Sequence, residues 1–291
     1  MPLEYARTFN IRHYECNARG HVTDVSYLRY MEEAAFGASA AAGYDLARYA
    51  AMGRLWLIRE TDIEYLRPLG YGDSIEVKTW VTDFRRVRSR RAYDFHLAGS
   101  GERVACASTD WVFVDSATGR PATIPAEMIV AFFPEGLAET ALPRVRMPAA
   151  SPARLSVFKQ PRRVNWQDID PANHVNNSMY LAYVQDCGVR ALATHGWPLA
   201  RLWSEGCSIF ARRHRIEYLQ SALLGDELEV ATWITSVKRA SMVRHTTITR
   251  VSDGTLLAHV DSTYVWVDLV TQKPIRIPLA FLADFAPNSM G

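Results

Sequence analysis

The chain has 291 residues, of which 48% are hydrophobic, and it carries 33 basic and 31 acidic side chains. This length and composition predict a globular protein with one large domain or two ordinary ones. The net charge of +2 excludes an overall basic field that would recruit nucleic acid or anionic lipid.

The cysteines and the first residues indicate the compartment. The four cysteines lie far apart, without the spacing of a zinc site or of a secreted disulfide scaffold, so we expect reduced thiols, no metal and no cofactor. The first residues, MPLEYARTFN, lack the charged and apolar regions of a signal peptide, and no apolar run reaches membrane-spanning length. We therefore expect a soluble cytoplasmic protein with no membrane span.

The first predicted element is a long helix over residues 22–43. This stretch lacks proline and ends at Gly43, where a C-terminal cap would lie. Apolar side chains surround most of its circumference, so we expect a mostly enclosed helix of about five or six turns.

Strand-like segments accompany this helix in chain order. Residues 74–81 alternate between apolar and polar side chains, and Ser100-Gly101 is typical of a hairpin turn between the last two segments. The other segments are 57–66, 88–98 and 103–115. An antiparallel sheet of about five strands can close a core around one buried helix only by curling around it, which predicts an α+β fold.

The same pattern then recurs later in the chain, with a second predicted helix over residues 175–196 that ends at Gly196. Residues 8–125 align on 161–278 without a gap, at the 153-residue spacing that separates His21 from His174. Roughly a quarter of the aligned positions are identical, which indicates an internal duplication. We therefore predict domains at 1–125 and 161–291, packed about a pseudo-two-fold axis as an intrachain pseudo-dimer.

Residues 126–160 match neither copy and are the predicted linker. They are rich in proline and alanine, which is typical of a connection between domains. Their apolar start, MIVAFF, favours packing on a domain, whereas their proline-rich end favours extended chain.

A loop rich in carboxylates leads into the second helix. It contains Asp168 and Asp170, and then Asn173 and His174 before Asn177. A helix start offers free N–H donors and a positive dipole end, which can stabilise an oxyanion. A partly buried Asp170 beside a histidine could act as base or nucleophile. The alternative is that the aspartates only cap the helix and that His174, like its counterpart His21, is structural.

This loop, together with later stretches of the second copy, resembles the hotdog-fold thioesterases. The matching stretches are Asp168-Ile-Asp170-Pro171, His174-Val-Asn-Asn, Ile216-Glu217-Tyr218-Leu219 and Gly225-Asp226. The chain is similar to the 4-hydroxybenzoyl-CoA thioesterase type and to the tandem acyl-ACP thioesterases. The resemblance implies two tandem hotdog domains, each a long helix wrapped by a curved antiparallel sheet, with an acyl site at their interface.

The resemblance also implies roles for individual residues. In the 4-hydroxybenzoyl-CoA type the second aspartate of the motif attacks the thioester or activates water, and a backbone N–H at the helix start receives the oxyanion. These roles transfer to Asp170 and to the region of Asn177, beside His174. The acyl-ACP enzymes use an asparagine two residues before the histidine. Here that position is Ala172, and Asn173 directly precedes His174.

The first copy departs from this pattern. Asn17 replaces Asp170, Gly20 replaces Asn173 and Asp24 replaces Asn177. Since an amide cannot serve as base or nucleophile, we expect a catalytic second domain and a catalytically degenerate first domain. The alternative is that Glu15, which aligns with Asp168, supplies the base of a second site.

Basic and aromatic residues complete the predicted site. We expect basic side chains near two strands to bind phosphates of the incoming phosphopantetheine arm, although a solvated sheet edge is the alternative. These side chains are Arg85, Arg86, Arg88, Lys238, Arg239 and Arg244. The recurring tyrosines of the two helices, Tyr27, Tyr30, Tyr180 and Tyr183, are expected in the cores. Trp56, Trp203 and Met242 either line an acyl tunnel or pack.

The predicted function is hydrolysis of an acyl-CoA or acyl-ACP thioester. One alternative is an enoyl-thioester hydratase or dehydratase, whose D-x-N-P-x-H pattern the chain misses, with Asp170 in place of the asparagine and His174 one position late. The other alternative is a non-catalytic acyl-thioester binding module. Acyl chain length and association of pseudo-dimers into a homo-oligomer stay open.

Overall fold

The computed structural model describes residues 1–136, 147 and 157–285. The chain divides into two compact units, Met1–Arg146 and Met147–Gly291. Each unit combines one long helix with a five-stranded antiparallel sheet, so the predicted α+β architecture with two similar domains is confirmed. Much of the predicted linker, residues 137–146 and 148–156, lies outside the described residues.

Within residues 1–136, the first unit contains five strands and three α-helices. Its elements are β1 (Glu4–Asn10), α1 (Asp24–Ala41), α2 (Leu46–Ala51), β2 (Arg54–Tyr65), β3 (Ser74–Phe84), β4 (Arg88–Leu97), β5 (Arg103–Asp115) and α3 (Ala126–Phe132). The strands pair in the order β1-β3-β4-β5-β2, and every pair is antiparallel.

The second unit repeats this plan. Its elements are β6 (Phe158–Arg163), α4 (Asn177–Thr194), α5 (Leu199–Ser204), β7 (Cys207–Tyr218), β8 (Glu227–Val237), β9 (Ser241–Arg250), β10 (Leu256–Asp268) and α6 (Leu279–Phe285). The strands pair in the order β6-β8-β9-β10-β7, again all antiparallel.

The two long helices begin and end where local chemistry dictates. The Thr23 hydroxyl caps α1 by accepting the Ser26 N–H, and the Asn176 side chain caps α4 by accepting the Ser178 N–H. Beyond the helix ends, Gly43 and Gly196 have φ of +81° and +79°, the left-handed conformation that glycine adopts at low cost. The predicted glycine stops are therefore confirmed.

One face of each sheet packs on its long helix. In β3 the side chains of Ile75, Val77, Thr79 and Val81 are buried, which confirms the predicted alternation. Tyr27 and Tyr30 in α1, and Tyr180 and Tyr183 in α4, are also buried, as expected.

Several elements have no sequence prediction. The edge strands β1 and β6 are short and polar, and β6 contains Pro161, which only an edge strand accommodates easily. Helix α3 lies inside the range predicted as linker. Its Met128 and Phe132 pack in a cluster of the first unit with Tyr44 and Phe113, so the apolar MIVAFF stretch does pack on a domain.

Two further properties bear on function. No helix within residues 1–136 and 157–285 is long and apolar enough to cross a membrane. In the same part of the chain, no group of three or more histidine, cysteine or acidic side chains is arranged to hold a metal ion.

Candidate active site

The loop before α4 folds back on itself. The Asp170 N–H donates to the His174 carbonyl over 3.0 Å, and the Asn173 N–H donates to the Asp170 carbonyl over 2.9 Å. A bridge between Ile169 and Val175 closes the turn. These backbone bonds bring the side chains of Asp170 and His174 together.

Asp170 and His174 form a half-buried pair. Asp170 Oδ2 lies 3.5 Å from His174 Nδ1, and the two side chains are 16% and 18% exposed. Asp170 Oδ1 accepts the Ala172 N–H, which fixes the rotation of the carboxylate. The pair therefore has the acid and imidazole side by side, as the sequence predicts.

The environment of the imidazole indicates its tautomer. Nδ1 of His174 lies 3.3 Å from the Val175 carbonyl oxygen and close to the Asp170 carboxylate, which are both acceptors. Nε2 is buried and has no hydrogen-bond partner within the described residues. We infer that the proton resides on Nδ1, which leaves the Nε2 lone pair available to accept a proton.

The start of α4 leaves one backbone donor open. The Ser178 N–H donates to the Asn176 side chain, and the Met179 N–H donates to the Asn176 carbonyl, each over 2.9 Å. The N–H of Asn177, the first helical residue, makes no hydrogen bond to any described residue. It lies at the positive end of an 18-residue helix, which is the position expected for an oxyanion donor.

Asp168, the other carboxylate of the motif, has a different environment. It is completely buried, and its Oδ2 accepts the Asn165 N–H and the Tyr183 hydroxyl, each over 2.9 Å. The Arg162 guanidinium lies 3.7 Å away. Burial raises the pKa of Tyr183, and its hydrogen bond to Asp168 raises it further. Asp168 thus anchors the loop to α4, a role that the sequence did not reveal.

Asn173 owes its residue type to the backbone. It is exposed and has φ of +61°, in the left-handed region. Its counterpart in the first unit, Gly20, has φ of +75°. Asparagine is among the few residues that tolerate this conformation, so the turn gives a structural reason for Asn173, and its predicted catalytic role stays a prediction.

The first unit keeps the same turn without the acid. The Asn17 N–H donates to the His21 carbonyl over 2.8 Å, as Asp170 does to His174. The Asn17 side-chain oxygen accepts the N–H groups of Arg19 and His21. In place of the neutral Asn177, Asp24 puts a carboxylate at the first position of α1, where it would repel an oxyanion.

Glu15 has the same place in the first unit as Asp168 has in the second. It is buried, and its Oε2 accepts the Arg12 N–H over 2.8 Å and the Tyr30 hydroxyl over 2.7 Å. These are the contacts that Asp168 makes to Asn165 and Tyr183. The geometry therefore favours an anchoring role for Glu15 over that of a base in a second site.

The predicted phosphate-binding residues separate into two groups. Arg85, Arg86 and Arg88 are exposed in and next to the β3–β4 turn, and Lys238 and Arg239 are exposed in the equivalent β8–β9 turn. Arg244 is only 4% exposed and lies on the helix-facing side of β9. Arg244 lies an even number of residues from the apolar Met242 and Ile248 on the strand. That spacing was the sequence signal that could have shown that Arg244 shares their face of the sheet.

The three residues considered for an acyl tunnel lie in core clusters. Trp56 packs on Phe113, with ring centroids 4.8 Å apart, in the first unit. Met242 and Trp203 belong to the cluster of the second unit that contains Trp266. Their contacts agree with ordinary packing.

A long helix on a five-stranded antiparallel sheet, present twice, defines a double hotdog protein. The family model of the thioesterase-like superfamily matches residues 11–132 and again residues 164–285. The chain therefore belongs to the thioesterase-like superfamily, which confirms the resemblance seen in the sequence.

Relatives of this family are similar to one or both domains. The acyl-CoA thioester hydrolase YbgC of Escherichia coli is 30% identical over 130 residues, which span 45% of this chain and 96% of that protein. The chloroplastic acyl-[acyl-carrier-protein] hydrolase FATB2 of Cuphea viscosissima is 24% identical over 191 residues, which span 62% of this chain and 46% of that protein. The structure of the 12:0-ACP thioesterase from Umbellularia californica superimposes with a TM-score of 0.71 at 19% identity, over 90% of this chain and 93% of that one. That last likeness shows a shared fold.

Proposed function

We propose that Asp170 and His174 of the second domain hydrolyse an acyl-CoA or acyl-ACP thioester, with the Asn177 N–H as oxyanion donor. The chain is a thioester hydrolase by family and by its named relatives. The observation that carries the residue assignment is the half-buried Asp170–His174 pair in the loop that leads to an open N–H at the α4 start.

In the proposed reaction the thioester carbonyl oxygen accepts the Asn177 N–H. In the general-base route, water gives a proton to the Asp170–His174 pair and its oxygen attacks the carbonyl carbon. Negative charge then develops on the carbonyl oxygen, where the helix dipole and the N–H stabilise it. The tetrahedral intermediate collapses, the C–S bond breaks, and the thiolate takes the proton to leave the free acid and the thiol.

In the nucleophilic route, an Asp170 oxygen attacks the carbonyl carbon and releases the thiolate, and water then hydrolyses the resulting anhydride. A single turnover in ¹⁸O-labelled water tests for the nucleophilic route. Label in the Asp170 carboxylate would establish that route, because the general-base route puts label only in the product acid.

The assignment is tested by thiol release from acyl-CoAs and acyl-ACPs of several chain lengths. We expect Asp170→Asn to lower kcat by at least roughly a hundredfold, the scale of losing a main catalytic group. Asn17→Asp is the matched control, because it keeps the side-chain oxygen that closes the equivalent turn. It should retain the rate of the unmodified chain.

Other outcomes would overturn parts of the proposal. Thiol release unaffected by Asp170→Asn would remove the Asp170 assignment. A large loss of rate in Glu15→Gln with unchanged stability would favour a second site. Loss of enoyl absorbance without free thiol would indicate the hydratase alternative, and binding without turnover of any substrate would indicate the binding module.

The exposed basic turns are our proposed contacts for substrate phosphates. Guanidinium and ammonium groups bind phosphates well. If Arg86 and Arg239 act in this way, replacing each by glutamine should raise KM for acyl-CoA with little change in kcat, and added salt should shrink the difference. Equal KM values for the variants and the unmodified chain would leave the turns as solvated sheet edges.

A further inference from the structure

Arg244 is a buried charge without a charged partner. Its guanidinium lies over the Tyr264 ring, with Cζ 5.6 Å from the centroid. Within the described part of the chain, Nη2 has no hydrogen-bond partner and the side chain makes no ion pair with a carboxylate. Burial lowers the pKa of Arg244, yet guanidinium stays protonated in proteins. Such an orphaned donor calls for a physical reason.

Helix α4 is shaped to receive this guanidinium. A Cβ placed on Gly188 would lie 2.5 Å from Arg244 Nη1, so any other residue there would displace the guanidinium. Glycine inside a helix is unfavourable relative to alanine. The first unit has alanine, Ala35, at the equivalent position of α1. At this position the second unit therefore has a poorer helix former than the first unit, and the missing side chain leaves room for the Arg244 guanidinium.

The equivalent arginine of the first unit is satisfied within the protein. Arg91 is also buried, but its Nη1 donates to the Thr79 hydroxyl over 3.3 Å. Both Thr79 and its counterpart Thr232 donate to a backbone carbonyl, but the second contact of the Thr232 hydroxyl is with the Thr246 hydroxyl instead of an arginine. Arg244 thus lacks the internal acceptor that its counterpart Arg91 has.

The surroundings of Arg244 are also smaller than those of Arg91. Thr246 stands where the first unit has the buried Tyr93, and Tyr264 stands where it has Trp111. Together with Gly188, these replacements remove side-chain volume beside the guanidinium.

A row of polar side chains extends from Arg244 across the helix-facing side of the sheet. Ser262 is the cross-strand neighbour of Arg244, and His214 is the next neighbour. All three are buried, and His214 Nδ1 lies 2.8 Å from Ser262 Oγ. Directly paired residues have Cβ atoms about 5 Å apart, so these groups face one small region.

This region lies well along α4 from the candidate active site. Gly188 follows Asn177 by eleven residues, which is about 16 Å of helix axis. A thioester held at the helix start would reach Arg244 only with the far end of a medium or long acyl group.

We propose that Arg244 binds a carboxylate at the far end of the acyl group, so that the preferred substrate is the monothioester of a dicarboxylic acid. This inference rests on the proposed thioesterase function. A carboxylate is favoured over a hydroxyl or keto group because only an anion neutralises the buried charge, and its two oxygens match the guanidinium fork.

The test compares acyl-CoAs of eight to sixteen carbons with ω-carboxyacyl-CoAs of the same lengths. We expect the unmodified chain to have the higher kcat/KM on a carboxylated substrate at one length. In Arg244→Met the ratio of carboxylated to plain substrate should fall roughly 10- to 100-fold, the scale of a hydrogen bond to a charged group. Arg91→Met is the matched control and should keep that ratio within about twofold.

A second measurement does not depend on hydrolysis. Calorimetric titration of the full chain with a free dicarboxylate and with the matching monocarboxylate should show tighter binding of the dicarboxylate, and Arg244→Met should abolish the difference. Arg244→Met should also keep or raise Tm, because removing an unpaired buried charge is neutral or stabilising.

The outcomes separate this inference from the proposed function. Dicarboxylate binding that depends on Arg244, without hydrolysis of any thioester, would uphold the subsite and overturn the thioesterase. Equal rates on plain and carboxylated substrates together with equal binding of the two acids would overturn the subsite. A lowered Tm in Arg244→Met with unchanged selectivity would make Arg244 a structural residue.

Discussion

Replacing Asp168 by asparagine is expected to destabilise the second domain, whereas replacing Asp170 by asparagine is expected to lower kcat by at least roughly a hundredfold. The two acids are separated by one residue, yet their surroundings differ. Asp168 is completely buried and accepts two hydrogen bonds, whereas Asp170 is half-buried beside His174. The pair of variants therefore tests whether the motif consists of an anchoring acid, Asp168, and a reacting acid, Asp170.

The contacts of Asp168 set the size of the effect. Hydrogen bonds to a charged group contribute about 1.5–3 kcal/mol each, and Asp168 accepts one from the Asn165 N–H and one from the Tyr183 hydroxyl. Asparagine keeps one acceptor oxygen, but it removes the charge opposite Arg162, 3.7 Å away. We therefore expect a loss of about 2–4 kcal/mol in the free energy of unfolding.

Urea denaturation followed by tryptophan fluorescence would measure this loss, with kcat determined below the unfolding transition. Glu15→Gln is the matched variant in the first unit, because Glu15 accepts the equivalent bonds from Arg12 and Tyr30. It should destabilise its domain by a similar amount. A hundredfold loss of kcat in Asp168→Asn at unchanged stability would refute the reasoning and move the chemistry to Asp168.

Three further expectations follow from individual contacts. Asn173→Gly should retain activity, whereas Asn173→Val should lower the free energy of unfolding by about 1–2 kcal/mol, because a β-branched residue is strained at φ of +61°. Thermal unfolding and activity assays measure the two effects, and a hundredfold drop of kcat in the glycine variant would support a catalytic role for the side chain. Gly188→Ala should lower Tm despite the better helix propensity of alanine, because its Cβ would lie 2.5 Å from Arg244 Nη1. Adding Arg244→Met should restore Tm. A raised Tm in Gly188→Ala alone would contradict the close contact between Gly188 and Arg244. Burial raises the pKa of Tyr180 to about 12 in the folded state, whereas the tyrosine of the unfolded chain ionises near pH 10. The contribution of Tyr180 to the free energy of unfolding is therefore complete below pH 10 and is lost as pH rises toward 12. The urea midpoint should fall over that window, and it should fall less steeply in Tyr180→Phe.

The repeated pattern made most of the fold predictable. The two long helices, their glycine stops and the main strands follow from periodicity and from the alignment of the two copies. The edge strands β1 and β6 were not predicted, because their sequences, EYARTFN and FKQPRR, show no apolar alternation. They are strands because they pair with β3 and β8, so their conformation depends on residues that are distant in the sequence.

The site was predictable only in part, for a similar reason. The sequence made Asp170 and His174 the candidates because a resemblance and a helix start coincide there. It did not predict the anchoring contact of Asp168, because that contact is a hydrogen bond to Tyr183, fifteen residues away. Arg244 was grouped with the exposed basic residues because the prediction rested on charge alone. The even spacing from Met242 and Ile248, which places Arg244 on the buried face of the strand, was not used.

The internal duplication provides a comparison that separates fold from function. Both copies keep an acid held by a helix tyrosine, Glu15 with Tyr30 and Asp168 with Tyr183, so this contact belongs to the fold. Only the second copy has Asp170 and a neutral helix start, which is the difference expected if these features serve the proposed chemistry. Arg91 and Arg244 lie between these cases, because the arginine is kept while its partners change. A buried charge without an internal acceptor is better explained by a ligand than by stability, since an apolar side chain would cost the fold less.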